Sequence, residues 1–101
     1  MLSIGWIGEG ERIMRMIQAH HRLLVFNSVH RVMVAEGKLK EKFDVLLIPV
    51  PADISADCGM VLRFSDVDED AILQTLCQLK LEPFSIYAPQ ADGFAQVGDF
   101  S

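Results

Sequence analysis

Between two apolar runs lies PADISADCGMVLRF (51–64), in which Cys58 stands directly before Gly59 where the second run begins. A cysteine does chemistry as its thiolate, which needs access to solvent or a nearby positive charge. Most free cysteines are instead buried and inert. The polar ADISAD that precedes Cys58 and the glycine that follows it set this one apart. Gly59 removes a side chain beside the sulfur and permits backbone angles closed to other residues. The other cysteine, Cys77, flanks a leucine stripe in a helix-like segment and is expected in the core or at its edge. Two cysteines this far apart fit neither a zinc site nor a Cys-x-x-Cys redox pair.

Other motifs fail on chemistry. GWIGEGERI (5–13) begins like a dinucleotide fingerprint, but Ile13 occupies the third glycine place and would crowd helix against strand. Asp66, Asp68 and Asp70 copy the first three ligand places of a calcium loop, yet its glycine place holds Ala71 and its closing glutamate place holds Cys77. An acidic helix start explains them better. His20, His21 and His30 lack metal spacing with a third ligand, and the first two are expected on a helix surface. Arg12, Arg15, Arg22 and Arg31 fit an ordinary solvated face.

The elements that must position Cys58 can be read from periodicity. LLVFNS (23–28) is a strand, and VHRVMVAEGKLKEK is a helix with Ser28 as N-cap and Val29, Val32, Met33, Glu36 and Leu39 at helical spacing. FDVLLIPVP (43–51) is a continuous apolar strand ended by prolines. After the loop, GMVLRFS (59–65) alternates as a strand, and DVDEDAILQTLCQLKL (66–81) is a helix with an acidic first turn. EPFSIYAP (82–89) is the last predicted strand, and 90–101 reads as a flexible tail. GERIMRMIQAHHR within residues 1–22 looks helical, with SIGWI as a short strand before it, forming an N-terminal extension. Trp6, Ile7 and the apolar side of 13–20 would cover the open sheet face or make a homodimer contact.

Residues 23–89 thus give β-α-β-β-α-β, the α+β order of a ferredoxin-like two-layer sandwich. In that topology the first two strands run parallel, so the loop 52–58 and the helix N-terminus at Ser28 share a sheet edge. Cys58 would then lie in reach of a positive dipole end and of His30 and Arg31, conditions that lower a thiol pKa. Arg63 projects to the opposite sheet face from Met60 and Leu62.

A chain of 101 residues is one domain, able to bury roughly two-thirds of its unfolded surface. Its net charge of −5 argues against nucleic acid or an anionic membrane as partner. The opening residues lack the basic and apolar regions of a secretory signal, and no apolar run has membrane-span length, so the expected compartment is the cytoplasm, with reduced thiols.

From Leu23 to Ala88 the chain resembles the selenium/sulfur carrier protein-like family, small bacterial and archaeal proteins formerly a domain of unknown function. The likeness lies in FNSVHRVMVAEGKLKE with Ala35-Glu36, in LIPVP with Pro51, in Ile54-Ser55 followed by Asp57-Cys58-Gly59, and in Leu62-Arg63-Phe64. Two places depart: the family pattern usually has an arginine where Ala52 stands and often a small hydroxyl residue where Ala56 stands. The resemblance implies that Cys58 carries sulfur or selenium, supported by Gly59, Arg63, Ser55, Asp57, Pro51, Ser28, His30 and Glu36. It implies donor and acceptor proteins as partners, and the covalent cargo as the only cofactor-like group. The alternative is a non-catalytic regulatory or protein-interaction module.

Overall fold

The structure is a computed structural model that describes residues 17–54 and 59–100. The chain orders as β1 (His21–Phe26), α1 (Val29–Leu39), β2 (Leu46–Pro49), β3 (Met60–Ser65), a 3-10 turn (Asp66–Asp68), α2 (Glu69–Gln78), β4 (Phe84–Gln90) and β5 (Gly93–Phe100). The described residues form an α+β fold, with two helices and a five-stranded antiparallel sheet in the order β2-β3-β1-β4-β5.

Local chemistry explains the boundaries. Ser28 holds an extended backbone, and its Oγ accepts from the Arg31 N–H at 3.4 Å, satisfying one free donor of the helix start. The buried stripe of α1 is Val32, Ala35 and Leu39. Val29 and Met33, expected at the same helical spacing, are exposed. At the other end, the N–H groups of Lys42 and Phe43 both donate to the Leu39 carbonyl, so 43–45 continues the helix exit and β2 begins only at Leu46. The acidic segment 66–68 winds as the 3-10 turn before α2, which buries Ile72 and Leu76 and ends where Lys80 takes a positive φ of 57°.

The register fixes the topology. β3 pairs antiparallel with both β1 and β2, so β1 and β2 run parallel on either side of it; β1 likewise separates the parallel β3 and β4. Two strand–helix–strand units are therefore interleaved. The sheet does not stop there, because β5 pairs with β4 from Phe84↔Phe100 to Gln90↔Gly93. This fifth strand occupies residues expected to form a flexible tail, and with it the strand order departs from the plain four-stranded ferredoxin-like one. Val97 is the extra residue where the register shifts, and Phe100 stacks on Phe84 with ring centroids 5.0 Å apart.

The sheet buries both faces. Against the helices pack Leu24, Phe26, Leu62, Phe64, Phe84 and Ile86. The second face carries Leu23, Val25, Ile48 and Val61, with Ile17 and Ile54 completing that cluster. Strand alternation produces the division, since residues two apart share a face. Trp6, Ile7, Ile13 and the SIGWI segment lie outside the described residues. Of the helix expected to run to Arg22, the described part is not helical: residues 17–20 form a turn region and β1 starts at His21.

His21 caps that turn. Its Nδ1 accepts from the Gln18 N–H at 2.9 Å, which requires the neutral ring. Desolvation, then the charges of Arg63 and His20, hold its pKa below the usual 6.5, against smaller opposing effects of Asp44 and Asp66. The folded state thus prefers the neutral ring. The stability this provides is present above the unfolded pKa and is lost as pH falls through the lower folded value. A stability–pH profile of the wild type should therefore fall more steeply below about pH 6.5 than that of His21→Gln. Parallel profiles would contradict this assignment.

Candidate functional site at the β2–β3 connection

The pairs Val25↔Val61 and Pro49↔Met60 put the C-terminal ends of β1 and β2 and the start of β3 at one end of the sheet. The connection between β2 and β3 therefore starts and finishes at the end where α1 begins. Its neck is closed by the Val50 N–H donating to the Gly59 carbonyl at 3.0 Å. Inside the neck, the Ile54 N–H donates to the Pro51 carbonyl at 3.0 Å, forming a turn.

The predicted site residues distribute as follows. Pro51 is buried at the start of the connection, and Ala52 beside it is exposed. Gly59 has φ 76°, in the left-handed region that glycine alone enters without cost, so its place before β3 is a backbone requirement. Ser28 caps α1 and His30 is exposed on its first turn, both at this end of the sheet. Arg31 bends back, its Nη1 donating to Asn27 Oδ1 at 3.2 Å. Ser55, Ala56, Asp57 and Cys58 lie outside the described residues.

Two predicted residues are not gathered here. Arg63 pairs in register with Leu23 and Leu46 on the second face, where its charge acts on His21. It lies four residue steps along the chain from Gly59, about 13 Å. Glu36 sits seven residues into α1, roughly 10 Å along the axis from its first residue. Its carboxylate lies 3.9 Å from Lys40 Nζ, an ordinary i,i+4 helix pair.

Sequence reading missed the residues that hold the connection. Ile54 is only 4% exposed, packed in the second-face cluster that Val50, Tyr87 and Phe94 flank. Asp53 packs against Gly93, at the tip of the β4–β5 hairpin; a Cβ there would overlap its carboxylate. The hairpin turns at Ala91-Asp92, so that Gly93 pairs with Gln90 at the start of β5.

Cys77, expected in the core or at its edge, is exposed on the last turn of α2. A hydrogen bond with the Glu82 carboxylate, with desolvation and the carboxylate's charge adding to it, raises its thiol pKa. It is therefore held as thiol, the unreactive form, despite its exposure.

No helix among the described residues is long and apolar enough to cross a membrane, and none of their His, Cys, Asp or Glu side chains form a group of three placed to hold a metal ion. No curated protein and no solved structure gives a significant match to the chain. The family model described as "Putative Se/S carrier protein-like" matches residues 21–88, which run from the first residue of β1 into β4 and include the whole β2–β3 connection. With that much of its 101 residues matched, the chain belongs to this Se/S carrier protein-like family.

Proposed function

We propose that the protein carries sulfur or selenium on Cys58, as a persulfide or selenosulfide. The observation that carries this reading is the family match, because it includes the Cys58-Gly59 pair. The chemistry is balanced without a redox partner. The Cys58 thiolate attacks the outer sulfur of a donor persulfide, the donor's S–S bond breaks, and the donor leaves as a thiolate with the electron pair. Cys58 then holds the outer sulfur until an acceptor thiolate attacks it and Cys58 leaves in turn. The chalcogen passes at an unchanged oxidation level.

Such a carrier needs access and a moderately lowered thiol pKa more than a pocket. The placement of α1 supports this, since its positive dipole end and His30 lie at the end of the sheet where the β2–β3 connection is anchored. The protein works in this reading as a cytoplasmic carrier between a donor and an acceptor protein, on a ferredoxin-like scaffold extended by β5. A second reading, a non-catalytic interaction module, is favoured by Ala52 at the arginine place of the family pattern and by the exposed Val29 and Met33 on α1.

The two cysteines provide the test within one molecule. Alkylation rates followed against pH should give Cys58 a midpoint below the free-thiol value of about 8.5, with Cys77, whose thiol pKa the Glu82 carboxylate raises, as the internal reference on the other side of it. A Cys58 midpoint at the free-thiol value of about 8.5 would favour the interaction module. In that case Cys58→Ser would also keep partner binding.

A further inference from the structure

We infer that the turn at residues 17–20 is a proton-operated latch: the neutral His21 ring keeps Ile17 seated on the second face of the sheet, and protonation of Nδ1 releases it. The turn lies just before residues 21–88, so it is where the chain preceding the family match joins the matched domain. Ile17 is its anchor. That residue is 8% exposed and shares the second-face cluster with Leu23, Val25, Ile48, Ile54 and Val61.

The bonds that hold the turn differ in kind. The His21 N–H donates to the Gln18 carbonyl at 2.9 Å, and the Asp66 N–H donates to the His20 carbonyl at 2.8 Å. Arg22 Nη1 donates to the Ala19 carbonyl at 3.1 Å. None of these depends on a group that titrates near neutral pH. The bond from the Gln18 N–H to His21 Nδ1 does, because it exists only while that nitrogen keeps a free lone pair. It is also the bond next to Ile17. On protonation two N–H donors would face each other across 2.9 Å, so the ring turns away and the Gln18 amide loses its acceptor. The other bonds and the β1 pairings persist, which confines the opening to Ile17 and Gln18.

The surroundings also disfavour a charged ring. Desolvation opposes it first, then Arg63 from β3 and the adjacent His20, whose ring centroid lies 4.2 Å away. Asp44 ahead of β2 and Asp66 in the 3-10 turn favour the charge, with smaller effect. The Asp66 carboxylate also lies 3.8 Å from Arg22 Nη2. The balance leaves the ring neutral above the usual value of 6.5, and the latch opens as pH falls through the lower folded one.

NMR on the full chain tests the latch. Long-range nitrogen–proton spectra should show a neutral His21 ring with Nδ1 unprotonated. As pH falls through the His21 midpoint, Overhauser contacts between the Ile17 methyls and the second-face cluster should fade. One pH unit below the midpoint about a tenth of the rings are still neutral, so protection of the Gln18 amide should drop by about tenfold. The amides of Leu24 and Leu62, in the interior strands β1 and β3, should keep theirs. His21→Asn offers an uncharged oxygen acceptor at the place of Nδ1 and should keep Ile17 seated on both sides of that midpoint. His21→Ala should release it even at neutral pH. Ile17 contacts that persist in the wild type below the midpoint, or that fade equally in His21→Asn, would overturn the inference. If His21→Ala does not fold, the wild type against His21→Asn decides. None of these readouts involves the β2–β3 connection or sulfur transfer, so the carrier reading stands or fails separately.

Discussion

Phe64→Ala is expected to lower the unfolding free energy by about 3–5 kcal/mol, the range for truncating a buried aromatic. Phe64 is 1% exposed and sits in the helix-face core with Leu24, Leu62, Ile72 and Leu76. Its strand, β3, lies between β1 and β2, so the cavity would open where the two interleaved units meet. Small domains have roughly 5–15 kcal/mol in total, so this one change removes a large fraction of the margin. Urea unfolding should show a lower midpoint with an unchanged slope. A loss below about 1 kcal/mol would mean that Phe64 is not packed as described.

Gly93→Val should be the most damaging substitution in β5. The backbone φ of 143° strains any residue with a Cβ, at about 1–3 kcal/mol, and more for a β-branched one. The added side chain would also displace the Asp53 carboxylate. Thermal unfolding should report a clear loss, whereas Val97→Thr, at a site 56% exposed on the same strand, should change stability by no more than about 0.5 kcal/mol. Equal effects at the two positions would contradict the close approach of Asp53 to Gly93.

These two positions mark what the sequence disclosed and what it did not. The core around Phe64 was legible because strand alternation places Met60, Leu62 and Phe64 on one face. The same logic gave the order of strands and helices from Leu23 to Ala88 and the Ser28 cap. The parallel β1 and β2, and the shared end for α1 and the β2–β3 connection, follow from that order. Gly93 was not legible in the same way. GFAQVGDF is rich in small and polar residues, as an edge strand can be, and its partner in β4 becomes evident only from pairing. In α1 the helical spacing of Val29, Val32, Met33, Glu36 and Leu39 gave the helix but not its buried face, which is Val32, Ala35 and Leu39 while Val29 and Met33 are exposed. Cys77 falls between leucines at the helix end, where a single residue's rotation decides burial, and Glu82 beside it comes from beyond the helix.

For the site, the sequence located the connection and the residues at its base. It could not foresee that Arg63 would act on His21, because a strand's length separates Arg63 from Gly59. Nor could local pattern reveal that Asp53 and Ile54 are held by a hairpin some forty residues later, since long-range packing leaves no periodic trace.

Intact mass spectrometry tests most directly whether Cys58 bears the chalcogen. After incubation with a small-molecule persulfide donor, the wild type and Cys77→Ser should each gain the mass of one sulfur, removable by excess thiol. Cys58→Ser should gain none while keeping the wild-type unfolding midpoint. Failure of the wild type to take up sulfur, or an adduct that persists in Cys58→Ser, would contradict the carrier function.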